Sequence, residues 1–325
     1  MFLPCILVIS IPIGFLNMTL QQLEYIVALD THRHFVTAAE HCFVTQPTLT
    51  LQIKKLENEM STTIFDRSKH PIVPTETGKV IISKARQILR EANQLKAMVN
   101  EEKDSVSGTF RVGVIPTIAP YLVPLFLNDF MAHNPRTKLA IREIESSQII
   151  QELNNDTIDI GLMATPLNEP SLREIPLFHE PFLLYTSMHH PYYMKDEIDV
   201  SEISEKGLWL LTEGHCLRNQ VLNICDKKNA QSANFNYESG SIETLKNLVK
   251  HNMGYTLVPE LSVTNEMADQ RIKRFKSPEP VREVSLVVHK SFNKELILEK
   301  LRESLMKDIP EHFSKAKKFN RIKWR

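Results

Sequence analysis

The sequence predicts an α/β protein in which a helical N-terminal part precedes a larger part of alternating strands and helices. From Leu20 to about Lys103, apolar residues recur at the spacing of helices. A polar stretch, Asp104–Gly108, then has the composition of a linker. Beyond Phe110, short apolar strands alternate with helical segments, which is typical of domains with mostly parallel sheets.

The composition is that of a soluble globular protein. A chain of 325 residues is long enough for two or three domains. Its 39 Lys and Arg balance 39 Asp and Glu, which excludes a uniformly basic protein but not a local basic patch. Four cysteines in so long a chain cannot form a secreted disulfide framework, so we expect reduced thiols in the cytoplasm. We expect neither a metal site nor a cofactor.

The first 17 residues form an apolar leader, MFLPCILVISIPIGFLN. No Lys or Arg precedes the apolar run, as a secretory signal would require. The run contains prolines and is shorter than the roughly 20 residues that span a bilayer. We therefore expect that translation starts at Met18, and a short membrane anchor is the alternative.

Three short helices and one long helix are predicted before the linker. The first begins near Leu20, the second spans Thr37–Phe43, and the third begins at Thr45, which can cap it. A polar stretch, Arg67–Pro74, separates them from a long helix over Glu76–Asp104 with an apolar seam. A regular helix of this length usually pairs with another helix.

The second and third helices have the spacing of a helix-turn-helix, whose second helix enters the major groove of DNA. Leu49, Ile53 and Leu56 lie on one side of the third helix and form its buried stripe. The residues that fall opposite, where DNA would lie, are Pro47, Thr50, Leu51, Lys54 and Lys55. The expected phosphate contacts are Lys54, Lys55, Arg67, Lys69 and His70. A solvated basic face on an ordinary helical bundle is the alternative.

The remainder of the chain contains the alternating elements. The predicted strands are Phe110–Ile115, Lys138–Ile144, Asp159–Met163, Pro176–Tyr185, Gly207–Leu211, Tyr255–Val258 and Val284–His289. The predicted helices are Tyr121–His133, Gln148–Asn154, Arg218–Lys228, Ser241–Asn252 and Lys294–Phe313. We expect the basic tail, residues 315–325, to be solvated and irregular.

Two cysteines, Cys216 and Cys225, are separated by the length of one short helix. They match neither a C-x-x-C motif nor a zinc pair. Cys216 lies at the helix N-terminus, which favours the thiolate, and His215 and Arg218 are close enough to add positive charge. A helix would hold the two Cα atoms roughly 13 Å apart. A disulfide needs about 7 Å or less, so bridging would require unwinding. The spacing alone leaves open a redox switch or two incidental cysteines.

Several segments resemble the LysR-type transcriptional regulators. They are Phe35–Glu59 (FVTAAEHCFVTQPTLTLQIKKLENE), Ile64–Arg67 (IFDR) and Thr75–Gly78. The resemblance implies a winged helix-turn-helix over residues 18–75, followed by a dimerising linker helix and hinge over 76–108. Residues 109–313 would form a two-lobed effector domain like a periplasmic binding protein, and residues 314–325 a basic tail. The expected DNA-binding residues are Gln46, Pro47, Thr48, Thr50, Leu51, Lys54 and Arg67. Many family members have Arg where this chain has Leu51.

A second set of segments resembles the peroxide-sensing OxyR branch of that family. The matching segments are GHCLRNQ around Cys216 with the following Cys225, Ile115–Leu122 (IPTIAPYL), Ser241–Val249 (SIETLKNLV) and Gly254–Pro259 (GYTLVP). By this resemblance Cys216 is the peroxidatic thiol and Cys225 the resolving one. Thr117 and Ser146 match hydroxyls that hold peroxide, and His215 flanks the reactive sulfur. The branch usually has an Arg where this chain has His289–Lys290, so weaker thiolate stabilisation is expected.

The resemblance implies a transcription regulator that senses hydrogen peroxide through a reversible Cys216–Cys225 disulfide and controls oxidative-stress genes. The expected partners are double-stranded DNA, further copies of the chain in a dimer and tetramer, a glutaredoxin or thioredoxin type of reductant, and RNA polymerase, with no membrane. One alternative is a regulator gated by a small organic ligand with idle cysteines. Another is a thiol peroxidase or a stand-alone binding protein, which a DNA-reading module argues against.

Overall fold

A computed structural model describes residues 18–100, 106–204, 206–225, 239–314 and 319–323. The chain divides into two compact units, residues 1–101 and 102–325. The apolar leader lies outside the described residues, as do Asp104 and Ser105 of the predicted linker. Within the described ranges, no helix is both long and apolar enough to cross a membrane.

The first unit is a winged helix-turn-helix with a long helix at its end. Its elements are α1 (Leu20–His32), α2 (Phe35–His41), α3 (Gln46–Glu59), β1 (Phe65–Asp66), β2 (Val73–Pro74) and α4 (Glu76–Asn100). The two short strands pair antiparallel and form the wing. Helix α2 ends earlier than predicted because Phe43 adopts a positive φ of 56° in the turn before α3. The winged fold confirms the expected architecture.

Helix α1 begins with a capping box that also positions α3. The Thr19 hydroxyl accepts from the Gln22 amide at 3.2 Å, and the Gln22 side chain accepts from the Thr19 amide at 2.9 Å. The Gln22 side-chain nitrogen then donates to Gln52 of α3 at 3.3 Å. The apolar stripe Leu49, Ile53 and Leu56 is fully buried against this core. The opposite face of α3 is therefore held outward.

The apolar seam of α4 is divided between two environments. Ile82 and Ala85 are buried in the core of the first unit, where Arg86 forms an ion pair with Asp30 of α1 at 2.9 Å. Further along, exposed apolar side chains remain, with Ile88 at 40% and Leu95 at 68% exposure. The early part of the seam stabilises its own domain, so only the later part is available for pairing with another helix.

The second unit has two lobes built on a mixed sheet. Its strands are β3 (Gly108–Val114), β4 (Thr137–Glu143), β5 (Ile160–Thr165), β6 (Leu172–Thr186), β7 (Glu197–Ile198), β8 (Leu208–Trp209), β9 (Tyr255–Pro259), β10 (Ile272–Phe275), β11 (Glu279–His289) and β12 (Phe319–Arg321). Its helices are α5 (Ala119–His133), α6 (Ser146–Asn154), α7 (Cys216–Ile224), α8 (Ile242–Lys250) and α9 (Glu295–Lys307).

Each lobe has its own hydrophobic core. The first core gathers β3, β5, α5, α6 and α9, and the second gathers β9, α7, α8 and the end of β6. Strand β6 contributes Phe178 to the first core and Phe182 to the second, so it runs from one lobe into the other. Its antiparallel partner is β11.

The expectation of mostly parallel sheets is wrong for these two long strands. Strand β3 pairs in parallel with β4 and β5, as predicted, but β11 is antiparallel to both β5 and β6. The connection from β5 to β6 covers only residues 166–171. Strands β5 and β6 are both antiparallel to β11, which lies between them in the sheet, so β5 and β6 run in the same direction and β11 runs against them.

Two further differences lie near the C-terminal end. Helix α9 ends at Lys307 rather than Phe313 because Pro310 cannot continue a helix, and Glu311–Phe313 forms a short 3₁₀ turn. The tail was expected to be solvated and irregular, but β12 pairs in parallel with β11 and Ile322 is buried.

The start of α4 generates a stability prediction. The Gly78 amide donates to the capping hydroxyl of Thr75 at 2.9 Å, and a Cβ at Gly78 would overlap the backbone carbonyl of Ile64. Gly78→Ala should therefore lower the free energy of unfolding of the first unit by about 2 kcal/mol, although Ala favours helices. Ser83→Ala, at an exposed site on the same helix, should leave the free energy of unfolding unchanged or slightly higher. Urea unfolding measures both, and equal stability of the two variants would contradict the packing at Gly78.

Candidate functional site

Helix α3 presents a polar face that is available to DNA. Thr45 caps the helix, and its hydroxyl also lies 2.8 Å from the Thr48 hydroxyl. Thr50 is half-buried. The exposed residues of the predicted reading face are Gln46, Pro47, Thr48, Leu51, Lys54 and Lys55. The helix thus carries these predicted DNA-binding residues on its solvent side.

Arg67 joins the wing to α3 instead of projecting freely. Its guanidinium donates to Glu57 at 2.7 Å and lies over the Phe35 ring, 5.8 Å from its centre. The other oxygen of Glu57 accepts from the amides of Ile64 and Phe65 at 2.8 and 3.2 Å. Any contact of Arg67 with a DNA phosphate must therefore be made while its guanidinium is paired with Glu57. Lys54, by contrast, is exposed and has no ion pair of this kind among the described residues.

Cys216 is the first residue of α7 and is only 2% exposed. The chain enters the helix through Gly214, whose φ of +97° favours glycine. A Cβ at that position would overlap the carboxylate of Glu145, which precedes α6. The tight turn packs the Cys216 thiol against the N-terminus of α6.

Ser146, Arg282 and the α7 amides all act on the ionisation of the Cys216 thiol. Burial raises the Cys216 pKa above the ordinary thiol value, and the Ser146 hydroxyl, the positive charge of Arg282 and the helix amides oppose that rise. The Ser146 oxygen has no well-aligned hydrogen-bond partner among the described residues, although it is buried. The hydroxyl can donate to the sulfur while its oxygen keeps the capacity to accept a hydrogen bond.

Arg282 is fully buried and paired. It donates to Glu180 at 2.8 Å from Nε, and to the Thr117 hydroxyl and carbonyl at 3.1 Å each. Glu180 also accepts from the Leu261 amide at 2.9 Å. Burial raises the Glu180 pKa, and the Arg282 charge opposes the rise. Because the Thr117 hydroxyl accepts from Arg282, its own proton remains available to donate.

The source of positive charge at the thiol differs from the sequence-based expectation. Arg218 donates to the Leu211 carbonyl at 2.9 Å, and burial lowers the pKa of His215, which favours its neutral form. His289 bonds locally to Ser291, about 20 Å further along β11 than Arg282. The expected positive charge of His215 is therefore not favoured, whereas the contribution of Arg218 and the effect of His289 stay predictions.

Arg282 was missed by the sequence reasoning. The available signal was a lone Arg-Glu pair inside an otherwise apolar strand, PVREVSLVV. A charged residue in a strand buried on both faces must have a partner, and this partner lies on the neighbouring strand β6.

Cys225 lies at the other end of α7 and in a different core. Cys216 belongs to the core of the first lobe, and Cys225 belongs to that of the second, where its charge would act on Tyr255. Neither cysteine forms a disulfide. The intact α7 keeps their Cα atoms roughly 13 Å apart, so the structure does not bring the two predicted redox residues together.

The remaining candidate groups have local roles. Cys42 packs against the core of the first unit, and burial raises its pKa. Across the described ranges, no cluster of three or more His, Cys, Asp and Glu side chains could hold a metal ion.

Comparison with known families matches both units. Residues 20–79 match the bacterial regulatory helix-turn-helix protein of the LysR family. Residues 103–308 match the LysR substrate binding domain. Together these matches cover most of the chain.

Similar proteins carry the same assignment over nearly their whole length. A hydrogen peroxide-inducible genes activator from Haemophilus influenzae is 35% identical over 272 residues, covering 83% of this chain and 90% of that protein. The DNA-binding transcriptional dual regulator OxyR of Escherichia coli is 32% identical over 303 residues, covering 93% and 99%. A full-length OxyR variant from Pseudomonas aeruginosa has a TM-score of 0.76 at 33% identity, covering 90% and 98%.

These matches decide between the two classes of protein considered for this chain, a transcriptional regulator and an enzyme. The helix-turn-helix and the effector domain occur together in this family of transcription factors, which leaves no place for the thiol peroxidase alternative. The chain therefore belongs to the LysR family of bacterial transcriptional regulators, in its OxyR branch.

Proposed function

We propose that this regulator responds to hydrogen peroxide through a reversible Cys216–Cys225 disulfide and controls oxidative-stress genes. The observation that carries the proposal is the environment of Cys216, a buried free thiol beside the Ser146 hydroxyl and the Arg282 charge. Relatives named as hydrogen peroxide-inducible genes activators support it. A related OxyR mutant from Corynebacterium glutamicum, 28% identical with a TM-score of 0.59, has been solved with H₂O₂ bound.

The first chemical step is attack of the Cys216 thiolate on one peroxide oxygen. An S–O bond forms, the O–O bond breaks, and the leaving hydroxide takes up a proton to become water. The sulfur is oxidised to sulfenic acid as the peroxide is reduced. The Thr117 and Ser146 hydroxyls would hold the peroxide, Arg282 would stabilise the thiolate, and His215 would line the site as a neutral neighbour.

The second step is capture of the sulfenic acid by Cys225. Its sulfur forms the disulfide bond, and the sulfenic oxygen leaves as water. Because α7 separates the two residues, part of this helix must unwind, and one cysteine must leave its core. Oxidation therefore imposes a change of shape, which a regulator can pass on.

The partners follow from this chemistry and from the family. We place the action in the cytoplasm, on double-stranded DNA read by Gln46, Pro47, Thr48, Thr50 and Leu51, with Lys54 and Arg67 on phosphates. A dimer would form through α4, and effector domains would join dimers into a tetramer. A glutaredoxin or thioredoxin type of reductant would reset the disulfide, and RNA polymerase would be the downstream partner.

The switch is tested with cysteine variants. Cys216→Ser should abolish the peroxide response because no thiolate remains. Cys225→Ser should still form the sulfenic acid but not the disulfide that fixes the new shape. Mass spectrometry of the treated protein and DNA footprints before and after peroxide measure the two steps. A footprint of Cys216→Ser that still changes with peroxide would favour a small-ligand regulator with idle cysteines.

The charge balance at Cys216 gives a second prediction. Glu180→Gln keeps the acceptor for Leu261 but leaves the Arg282 charge uncompensated, so the Cys216 pKa should fall. Adding Arg282→Gln removes that charge, and the pKa should rise above the parent value. Alkylation of Cys216 at neutral pH should be several-fold faster in Glu180→Gln and slower in the double variant. In the parent, the alkylation rate should continue to increase as the pH rises above about 8.5, the ordinary pKa of a thiol.

The pH dependence of alkylation, followed by peptide mass spectrometry, separates thiolate formation from access to the sulfur. A shift of the profile along the pH axis reports the pKa, whereas a uniform change in rate reports access. Identical profiles in the parent and both variants would contradict a role for Arg282.

The DNA-binding proposal is tested through salt dependence. Lys54→Ala should remove one phosphate contact and reduce the slope of log K against log salt by about 0.9, with little change in sequence preference. Gln46→Ala should instead alter which sequences are preferred. Lys300→Ala, on α9 of the second unit, serves as the charge-matched control. Equal slopes for the Lys54 and Lys300 variants would count against α3 as the reading helix.

A further inference from the structure

The C-terminal strap, defined as residues 319–323, lies along the sheet edge beside α7. Strand β12 pairs in parallel with β11, with Phe319 opposite Glu279 and Arg321 opposite Val281. The Ile322 amide continues the pairing by donating to the Val281 carbonyl at 2.9 Å. Backbone hydrogen bonds thus hold the strap to the sheet.

Side chains add a second anchor that does not involve α7. Arg321 donates to Glu283 at 2.7 Å, and this buried carboxylate also accepts from Thr165 at 2.8 Å. The Phe319 ring stacks on His179, whose ring nitrogen lies 3.4 Å from Glu283. The position of the strap is therefore set by β6, β5 and β11.

The other side of the strap contacts α7. The Gln220 side chain donates to the Ile322 carbonyl at 3.3 Å, and the Asn223 side chain donates to the Lys323 carbonyl at 2.7 Å. The Ile322 side chain packs in the core of the second lobe with apolar residues of the same helix segment. These are Leu217, Val221, Ile224 and Cys225.

Both donors lie in the segment that separates the two cysteines. Under the proposed function, on which this inference rests, that segment must unwind in part before Cys225 reaches Cys216. Unwinding would move Gln220 and Asn223 away from carbonyls that the sheet holds in place. The two hydrogen bonds and the contacts of Ile322 therefore belong to the dithiol form.

We propose that the strap stabilises the dithiol form, and that Gln220 and Asn223 act through it as positioning residues for the redox reaction. The protein dithiol reacts with oxidised glutathione to give the protein disulfide and two reduced glutathione molecules, a two-electron exchange. An interaction present only in the dithiol form raises the reduction potential of the disulfide–dithiol couple. It also slows formation of the Cys216–Cys225 disulfide. Loosening the strap should make oxidation easier and the disulfide longer-lived.

The test measures the redox equilibrium of the full chain in glutathione buffers. Asn223→Ala should raise the equilibrium constant for disulfide formation roughly fivefold over its control, which is about 20 mV toward more negative potential. The control is Asn219→Ala, the same substitution at an exposed position of the same helix. It corrects for the higher helix propensity of Ala, which by itself favours the dithiol.

A second variant loosens the strap without touching α7. Arg321→Gln removes the ion pair with Glu283 and should shift the potential in the same direction as Asn223→Ala, whereas Arg321→Lys should restore part of it. If Asn223 acted only within its own helix turn, the Arg321 variants would keep the reduction potential of the parent. That result would contradict the proposed role of the strap.

Hydrogen exchange supplies a readout that needs no disulfide. In a Cys216→Ser background, Asn223→Ala and Arg321→Gln should each increase exchange of the α7 amides several-fold, and Asn219→Ala should not. If the parent forms no Cys216–Cys225 link, the proposed function fails, and the redox role of the strap fails with it. If the link forms but Asn223→Ala and Asn219→Ala have equal potentials and equal exchange, only the strap inference is overturned.

Discussion

The ion pair between Arg282 and Glu180 is the constraint on which the second unit depends. The antiparallel register of β11 and β6 places the two residues directly opposite each other, where the long strands pass between the lobes. Both are buried, so removing either charge leaves the other uncompensated at a cost in stability. The remaining bonding capacity is used by the Thr117 turn of the first lobe and the Leu261 amide that follows β9 of the second. One buried pair thus joins the two long strands and adds a positive charge that acts on the thiol.

The pair also influences the ionisation of the buried Cys216 thiol. Burial alone suppresses ionisation of a thiol, and a helix N-terminus offers only a fraction of a charge in compensation. A fully buried guanidinium adds an undiluted positive charge, since no water screens it. Glu180 moderates that charge, so the reactivity of the sulfur depends on the balance between two residues rather than on one.

The sequence was sufficient for features that depend on local spacing or motif. The start of α3 after Thr45, the burial of Leu49 and Ile53, and the position of Cys216 at the start of α7 follow from capping and helical periodicity. The end of α7 does not, because the helix predicted to reach Lys228 ends at Ile224, just before Cys225. The family followed from motifs near those helices. The peroxide and DNA contacts of individual residues stay predictions.

The sequence was insufficient where distant segments meet. Arg282 reaches Cys216 from a strand far along the chain, and Arg67 is paired with a carboxylate on the preceding helix. The tail looked solvated because six of its residues are basic, yet Ile322 is buried and Arg321 neutralises a buried carboxylate. Periodicity predicts which face of an element is buried, but not which residue of another element lies against it.

The almost complete burial of Cys216 has a consequence for selectivity among oxidants. A sulfur that is 2% exposed reacts only with a molecule that fits between the packed ends of α6 and α7, or after those ends separate. Hydrogen peroxide is scarcely larger than water, so it meets this condition more readily than a bulkier oxidant. Under the proposed function, discrimination between oxidants by size would come from the closed packing itself. A substitution that opens the α6–α7 junction would then broaden the range of oxidants that the thiol meets.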